Sequence, residues 1–123
     1  MKIKEKIKSN TLSKVIAESM ENKKAEDIKI INLKNIKNSV TDYFVIATGT
    51  SNIHIDSISE GIEEDVLNNF HEKPWKTEGK NNSEWILIDF IDVVVHVFNK
   101  ENRNQYNLEG LWGDGNEKIL KIK

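Results

Sequence analysis

The sequence predicts an α/β domain, a mixed sheet of four to five strands with packed helices, and three observations lead there. YFVIATG at residues 43–49 and DVVVHVF at 92–98 are apolar runs rich in β-branched residues. Two longer segments, beginning at Ser9 and at Thr50, instead repeat apolar residues at spacings of three and four. Both periods alternate within 123 residues, the length of one ordinary domain. Residues 1–123 are therefore expected to form a single domain, with 1–8 and 114–123 as loose ends.

The elements follow in order. KIKEKIK near the start sets Ile3 and Ile7 among lysines and reads as a solvated terminus. In SNTLSKVIAESMENKKAED, Leu12, Val15, Ile16 and Met20 form the buried stripe of a first helix, capped by Ser9 or Thr11. IKIINL at 28–33 is a short strand ended by the turn formers of NIKNSVTD, and YFVIATG then reads as a strand buried on both faces. Ile55, Ile58, Ile62, Val66 and Phe70 give the second helix its packing face, and Gly61 marks either close packing or a neutral change. After the only proline, residues 75–77 suit a short edge strand. EWILIDF and DVVVHVF are two strands that, if directly paired, make an antiparallel hairpin turning near 89–92. The tail is helical to about Tyr106, then carries Leu108, Leu111 and Trp112 before a glycine-rich break and a loose EKILKIK.

Composition narrows the chemistry. Cysteine is absent, which removes thiol nucleophiles, disulfides and thiolate metal sites. Net charge is −2 with lysines and acids interspersed, so there is no broad cationic footprint for nucleic acid. No apolar stretch approaches the roughly 20 residues of a membrane helix, and the basic start is followed by no apolar export segment. The expectation is a cytoplasmic protein with no membrane contact.

Catalytic readings find little support. Gly49, Thr50 and Ser51 stand where a strand gives way to a helix, a junction that can bind an anion through free amides. GxxxxGK[ST] and GxGxxG are both missing. Nucleotidyltransferases follow such a junction with paired carboxylates for two metal ions, whereas here Asp56 is the only nearby acid. Thr50 or Ser51 as a helix cap is the simpler reading. His54 lies in the first turn of the second helix, His71 at its far end and His96 in the last strand, none with an acid or another histidine at metal-ligand spacing along the same element, and G-x-S-x-G is absent. No catalytic residue, cofactor or metal is expected.

Strand alternation points to recognition instead. In DVVVHVF, Val93, Val95 and Val97 share a core face, while Val94, His96 and Phe98 share the other. That second face suits either a partly covered surface or an interior histidine with its hydrogen bonds met. In NSEWILIDF, Trp85, Leu87 and Asp89 share a face. Trp, Asp and His on a sheet, followed by Arg103, Tyr106, Glu109 and Trp112, have the composition of an interface hot region, although Trp112 equally suits a lid on the core. Arg103 is the only arginine in a lysine-rich chain, which points to a need for guanidinium geometry.

TDYFVIATGTSNIHIDSISEGIEE and EGKNNSEWILIDFIDVVVHVFNKENRNQYNLEGLW resemble the ribosomal silencing factor (Iojap, RsfS-like) family, from the first helix to Trp112. The shared features include Gly-Thr-Ser followed by His54, Glu78-Gly79, Trp85, Asp89, the 92–98 strand, Arg103, Tyr106, Leu108-Glu109 and Leu111-Trp112. The resemblance implies a degenerate nucleotidyltransferase fold without enzymatic activity and a homodimer. It further implies a translation repressor that binds the large ribosomal subunit through its ribosomal protein fourteen and blocks joining of the small subunit. Trp85 and Asp89 are then the leading contacts. His96, Arg103, Tyr106, Glu109 and Trp112 remain undivided among ribosome contact, dimer contact and internal support, with room for a minor contact of terminal lysines to ribosomal RNA. The alternatives are a nucleotidyl or phosphoryl transfer enzyme and an RNA-binding ribosome biogenesis factor. Two positions depart from the family pattern: Ile53 replaces its arginine, and Ile91 replaces the glycine of its hairpin. Because a β-branched residue resists positive φ, another turn geometry or an apolar contact is expected at Ile91.

Overall fold

A computed structural model describes residues 8–113 and 119–121, with side chains for 8–110. The elements are α1 (Ser9–Asn22), β1 (Glu26–Asn32), β2 (Tyr43–Thr48), α2 (Asn52–Phe70), β3 (Lys76–Glu78), β4 (Trp85–Asp89), β5 (Val93–Phe98), α3 (Lys100–Tyr106), α4 (Leu108–Gly113) and β6 (Ile119–Lys121). Five strands in the order β3-β4-β5-β2-β1 make the expected mixed sheet, and β6 adds a short edge on β1. β2 and β5 run parallel in the centre, while β4 with β5, β3 with β4 and β1 with β2 are antiparallel. The hairpin and the edge strand thus form as read from sequence. Residues 119–121 pair with Lys29 to Ile31.

Strand alternation sorts the sheet into two unequal faces. Tyr43, Val45 and Ala47 lie beside Val93, Val95 and Val97 in the main core with Ile86 and Ile88, beneath Leu12, Ile16 and Met20 of α1 and Ile55, Ile58, Ile62 and Val66 of α2. Each such aliphatic side chain contributes on the order of 1.5–3 kcal/mol by leaving water. The opposite face carries Phe44, Ile46 and Thr48 beside Val94, His96 and Phe98, with Leu87 across from His96. Here Ile31, Leu33, Ile46 and Phe98 make a second, smaller core joined by Ile36, Phe44, Trp85 and Leu108. Leu87, Asp89 and Val94 stay half-buried, so the expectation of a sheet covered on both faces holds at one end only.

Helix ends show which cap candidates act. Ser51 Oγ accepts from His54 N at 3.0 Å and caps α2. Neither Ser9 nor Thr11 caps α1: Lys8 occupies that position without a side-chain bond, and Ser9 Oγ donates to Asp42 Oδ2 at 2.8 Å. Ser9 therefore fastens the start of α1 to the approach to β2. A Cβ on Gly61 would meet only the flexible side chain of Lys23, its nearest atom being Cε at 2.8 Å.

The β4–β5 turn overturns the expectation for Ile91, which keeps a positive φ of 76° despite its branched Cβ. Asp92 N donates to Phe90 O at 3.0 Å across it, the i to i+2 bond of a γ-turn, whose positive-φ form is rare and strained. Asp89 Oδ1 accepts from Ile91 N at 2.7 Å and helps hold this geometry. Ile91 itself is 58% exposed.

Candidate protein-interaction surface

The candidate residues divide into an interior network, an aromatic cover and an open rim. Arg103 is buried at the end of β2: Nη1 donates to Thr48 Oγ1 at 2.8 Å and Nε to Glu109 Oε1 at 2.8 Å. Lys29 of β1 donates to the other oxygen of Glu109. Burial raises the Glu109 carboxyl, but the hydrogen bonds and charges of Arg103 and Lys29 outweigh it and hold the group below its ordinary range. One planar fork thus ties α3, α4, β1 and β2 together, which accounts for arginine at this position. Among the described residues Arg103 Nη2 has no hydrogen-bond partner.

His96 is also interior. Trp85 Nε1 donates to His96 Nδ1 at 3.1 Å, so the proton of the neutral ring sits on Nε2, which is buried without an acceptor among the described residues. The Phe44 ring packs on it edgewise, with centroids 5.0 Å apart and planes at 75°. Burial lowers the imidazole pKa to about 4. Of the two readings of this strand face, the interior histidine is the one found, with one of its two nitrogens satisfied.

Trp85 lies between His96 and Tyr106, its ring 4.5 Å from that of Tyr106 and 5.4 Å from that of Phe98. Tyr106 is 52% exposed and shields an indole that is itself half-buried. Asp89 stands at the far end of β4, so the sheet face joins Trp85 and Asp89 but the aromatic cover includes only Trp85. Trp112 falls in α4, and its side chain lies outside the described residues.

Around Asp89 the structure adds Val40, Thr41 and Trp75, which the sequence reading did not count among the site residues. Together with Ile91 and Val94 they line a groove with it. Val40 and Trp75 are 92% and 68% exposed, large apolar groups left in water beside half-buried Val94. The available signals were weak: a tryptophan after the only proline, and a valine among turn formers.

The Gly-Thr-Ser junction is internally engaged. His54 Nδ1 accepts from Thr50 N at 2.9 Å, and Nε2 lies 2.8 Å from the Lys23 carbonyl, which it can reach as a donor. The imidazole thereby joins the start of α2 to the end of α1. A Cβ on Gly49 would fall 2.5 Å from Ile55 Cγ1, so glycine here permits close strand-to-helix contact. Asp56 Oδ1 accepts from Ser83 Oγ at 3.0 Å. Among the described residues no three His, Asp or Glu side chains converge as a metal site, and no helix is long and apolar enough to cross a membrane.

Comparison with known proteins agrees with this geometry. The family model described as ribosomal silencing factor during starvation matches residues 6–123. The chain belongs to the ribosomal silencing factor family. Ribosomal silencing factor RsfS of Bacillus subtilis is 39% identical over 104 residues, covering 85% of this chain and 86% of that protein. The mouse protein named mitochondrial assembly of ribosomal large subunit protein 1 is 36% identical over 74 residues, 58% of this chain and 32% of its own length. The crystal structure of a Chromobacterium violaceum protein superposes with a TM-score of 0.81 at 27% identity, covering 95% of this chain and 94% of that one. Family membership and this superposition fit the α/β fold described above.

Proposed function

We propose that this ribosomal silencing factor represses translation in the cytoplasm by docking on the large ribosomal subunit through ribosomal protein fourteen, so that the small subunit cannot join. The observation that carries the proposal is the half-open end of the sheet. Leu87, Val94 and Asp89 are incompletely covered, and exposed Ile91 and Trp75 continue the apolar rim. Apolar anchors around one carboxylate suit a protein partner with a basic or amide-bearing edge. The name of the mouse relative, which refers to the large ribosomal subunit, supports the choice of partner.

Blocking needs occupancy and no chemistry. A standard interface of about 1,600 Å² supports that when a few anchors are well buried. In this division of labour Trp85 and Asp89 face the partner, while His96, Arg103 and Glu109 hold them in place from inside. Tyr106 flanks the contact, Trp112 is a further candidate contact by its place in the family motif, a second copy of the chain binds elsewhere to complete a homodimer, and terminal lysines add at most a minor contact to ribosomal RNA.

The test is retention on purified large subunits of the wild type, Asp89→Ala and Trp85→Ala, each checked for folding by circular dichroism. Loss of a hot-spot contact of at least 2 kcal/mol weakens binding by roughly 30-fold or more. Equal retention of both folded variants would overturn the assignment of these contacts.

A further inference from the structure

We infer that Ile91 is an affinity-determining anchor: the strained turn holds its side chain clear of the fold, and docking packs it against an apolar side chain of the ribosomal partner. The inference rests on the proposed function and assigns it a contact beyond Trp85 and Asp89. Backbone conformation carries the first argument. A φ of 76° disfavours a branched Cβ, and glycine or asparagine would occupy the same turn with less strain. Among the described residues neither hydrophobic core includes the Ile91 side chain, which is 58% exposed. The strain therefore stabilises nothing inside the fold. Strained backbone held in place by its surroundings is a pattern found at binding sites and ligand clamps.

The surroundings hold it firmly. Asp89 Oδ1 accepts from Ile91 N at 2.7 Å, and Phe90 N donates to Val93 O at 2.9 Å to close the hairpin. Main-chain bonds tie both walls of the groove to the same turn. Trp75 N donates to Asp89 O at 2.8 Å, and Asp42 N, next along the chain from Thr41, donates to Asp92 O at 2.9 Å. Exposed Trp75 and Val40 are thus set on either side of Ile91 before a partner arrives, which lowers the ordering cost of association. The groove encloses about 300 Å³, the lower limit of small-molecule sites, and suits a side chain better than a cofactor. Thr41 in its wall is 5% exposed, and its Oγ1 has no hydrogen-bond partner among the described residues. Asp89 is the one charged residue among those lining the groove, so the occupant is an apolar side chain with a cation beside it. Covering the exposed part of an isoleucine strengthens binding roughly tenfold.

The test measures binding to purified large subunits, alongside urea unfolding, for the full-length wild type, Ile91→Val, Ile91→Asn, Ile91→Gly and Asp89→Ala. Valine keeps an apolar branch in the groove and should bind within about fourfold of the wild type. Asparagine and glycine suit positive φ, so both should keep or raise the urea midpoint while weakening binding roughly tenfold. Opposite signs in the two measurements distinguish an anchor from a residue that only supports the turn. Wild-type affinity in the asparagine and glycine variants, with Asp89→Ala weakened, would overturn the inference and leave docking at Asp89 standing. Weaker binding together with a lower midpoint would overturn it as well, by assigning the side chain to the fold. Failure of the wild type itself to bind large subunits would remove the docking proposal, and the anchor with it.

Discussion

Replacing His96 with phenylalanine isolates the energetic consequence of an imidazole buried with one nitrogen unpaired. At neutral pH two effects oppose each other. The Trp85 indole loses its acceptor, worth about 1 kcal/mol, while the unpaired Nε2–H and its desolvation penalty of about 1–3 kcal/mol disappear. The variant should fall within about 1 kcal/mol of the wild type. Acid separates the two proteins. The folded imidazole has a pKa of about 4 against an ordinary 6.5, so between those values the unfolded chain holds more protons than the folded one. Stability from the neutral ring is fully present above pH 6.5 and drains as pH falls toward 4. At 1.36 kcal/mol per unit the loss amounts to about 3 kcal/mol. The contribution of Glu109, whose carboxyl is held below its ordinary range, is common to both proteins and cancels in the difference. Urea unfolding at intervals from pH 7.5 to 4 should show the wild type losing about 3 kcal/mol relative to His96→Phe. Parallel stability curves would refute the burial argument, as would an imidazole seen by NMR to titrate near its ordinary value.

Other substitutions test separate parts of the account. Arg103→Lys keeps the charge but cannot span both Thr48 and Glu109, and should cost about 1.5–3 kcal/mol in chemical denaturation while leaving ribosome binding per folded molecule unchanged. A selective loss of binding at unaltered stability would make Arg103 a contact residue. Ile91→Gly removes a branched side chain from positive φ and should stabilise the fold by about 1 kcal/mol, read as a higher urea midpoint; a lower midpoint would show that the side chain supplies packing the strain argument ignores. Ser51→Ala removes the cap of α2 and should cost about 1 kcal/mol, with faster amide exchange at His54 as the local signature.

Periodicity carried the fold a long way because the helices and central strands each bury one regular stripe. Ile55, Ile58, Ile62 and Val66 are all fully buried, as their spacing required. Alternation in DVVVHVF also separated the core valines from the His96 face correctly. Spacing could not reveal how far α3 and α4 extend over that second face, because it depends on where a short tail returns. Thus Arg103 and His96 could be singled out without being placed inside the protein. Nor did local pattern foretell the turn at Ile91, where hairpin closure and the Asp89 carboxylate impose a backbone conformation the residue itself resists. Ser9 was misread for a similar reason: its partner, Asp42, lies 33 residues away. Val40 and Trp75 escaped notice because an exposed apolar residue has meaning only beside its neighbours in space.

The central claim is that occupancy of the large subunit blocks subunit joining. Purified full-length protein would be added to separated large subunits, followed by small subunits, and the mixture resolved by density-gradient sedimentation. The account predicts co-sedimentation with the large subunit and a dose-dependent loss of joined ribosomes, diminished by Asp89→Ala. Undiminished joining at saturating protein, with the protein bound to the large subunit, would contradict the proposed silencing mechanism.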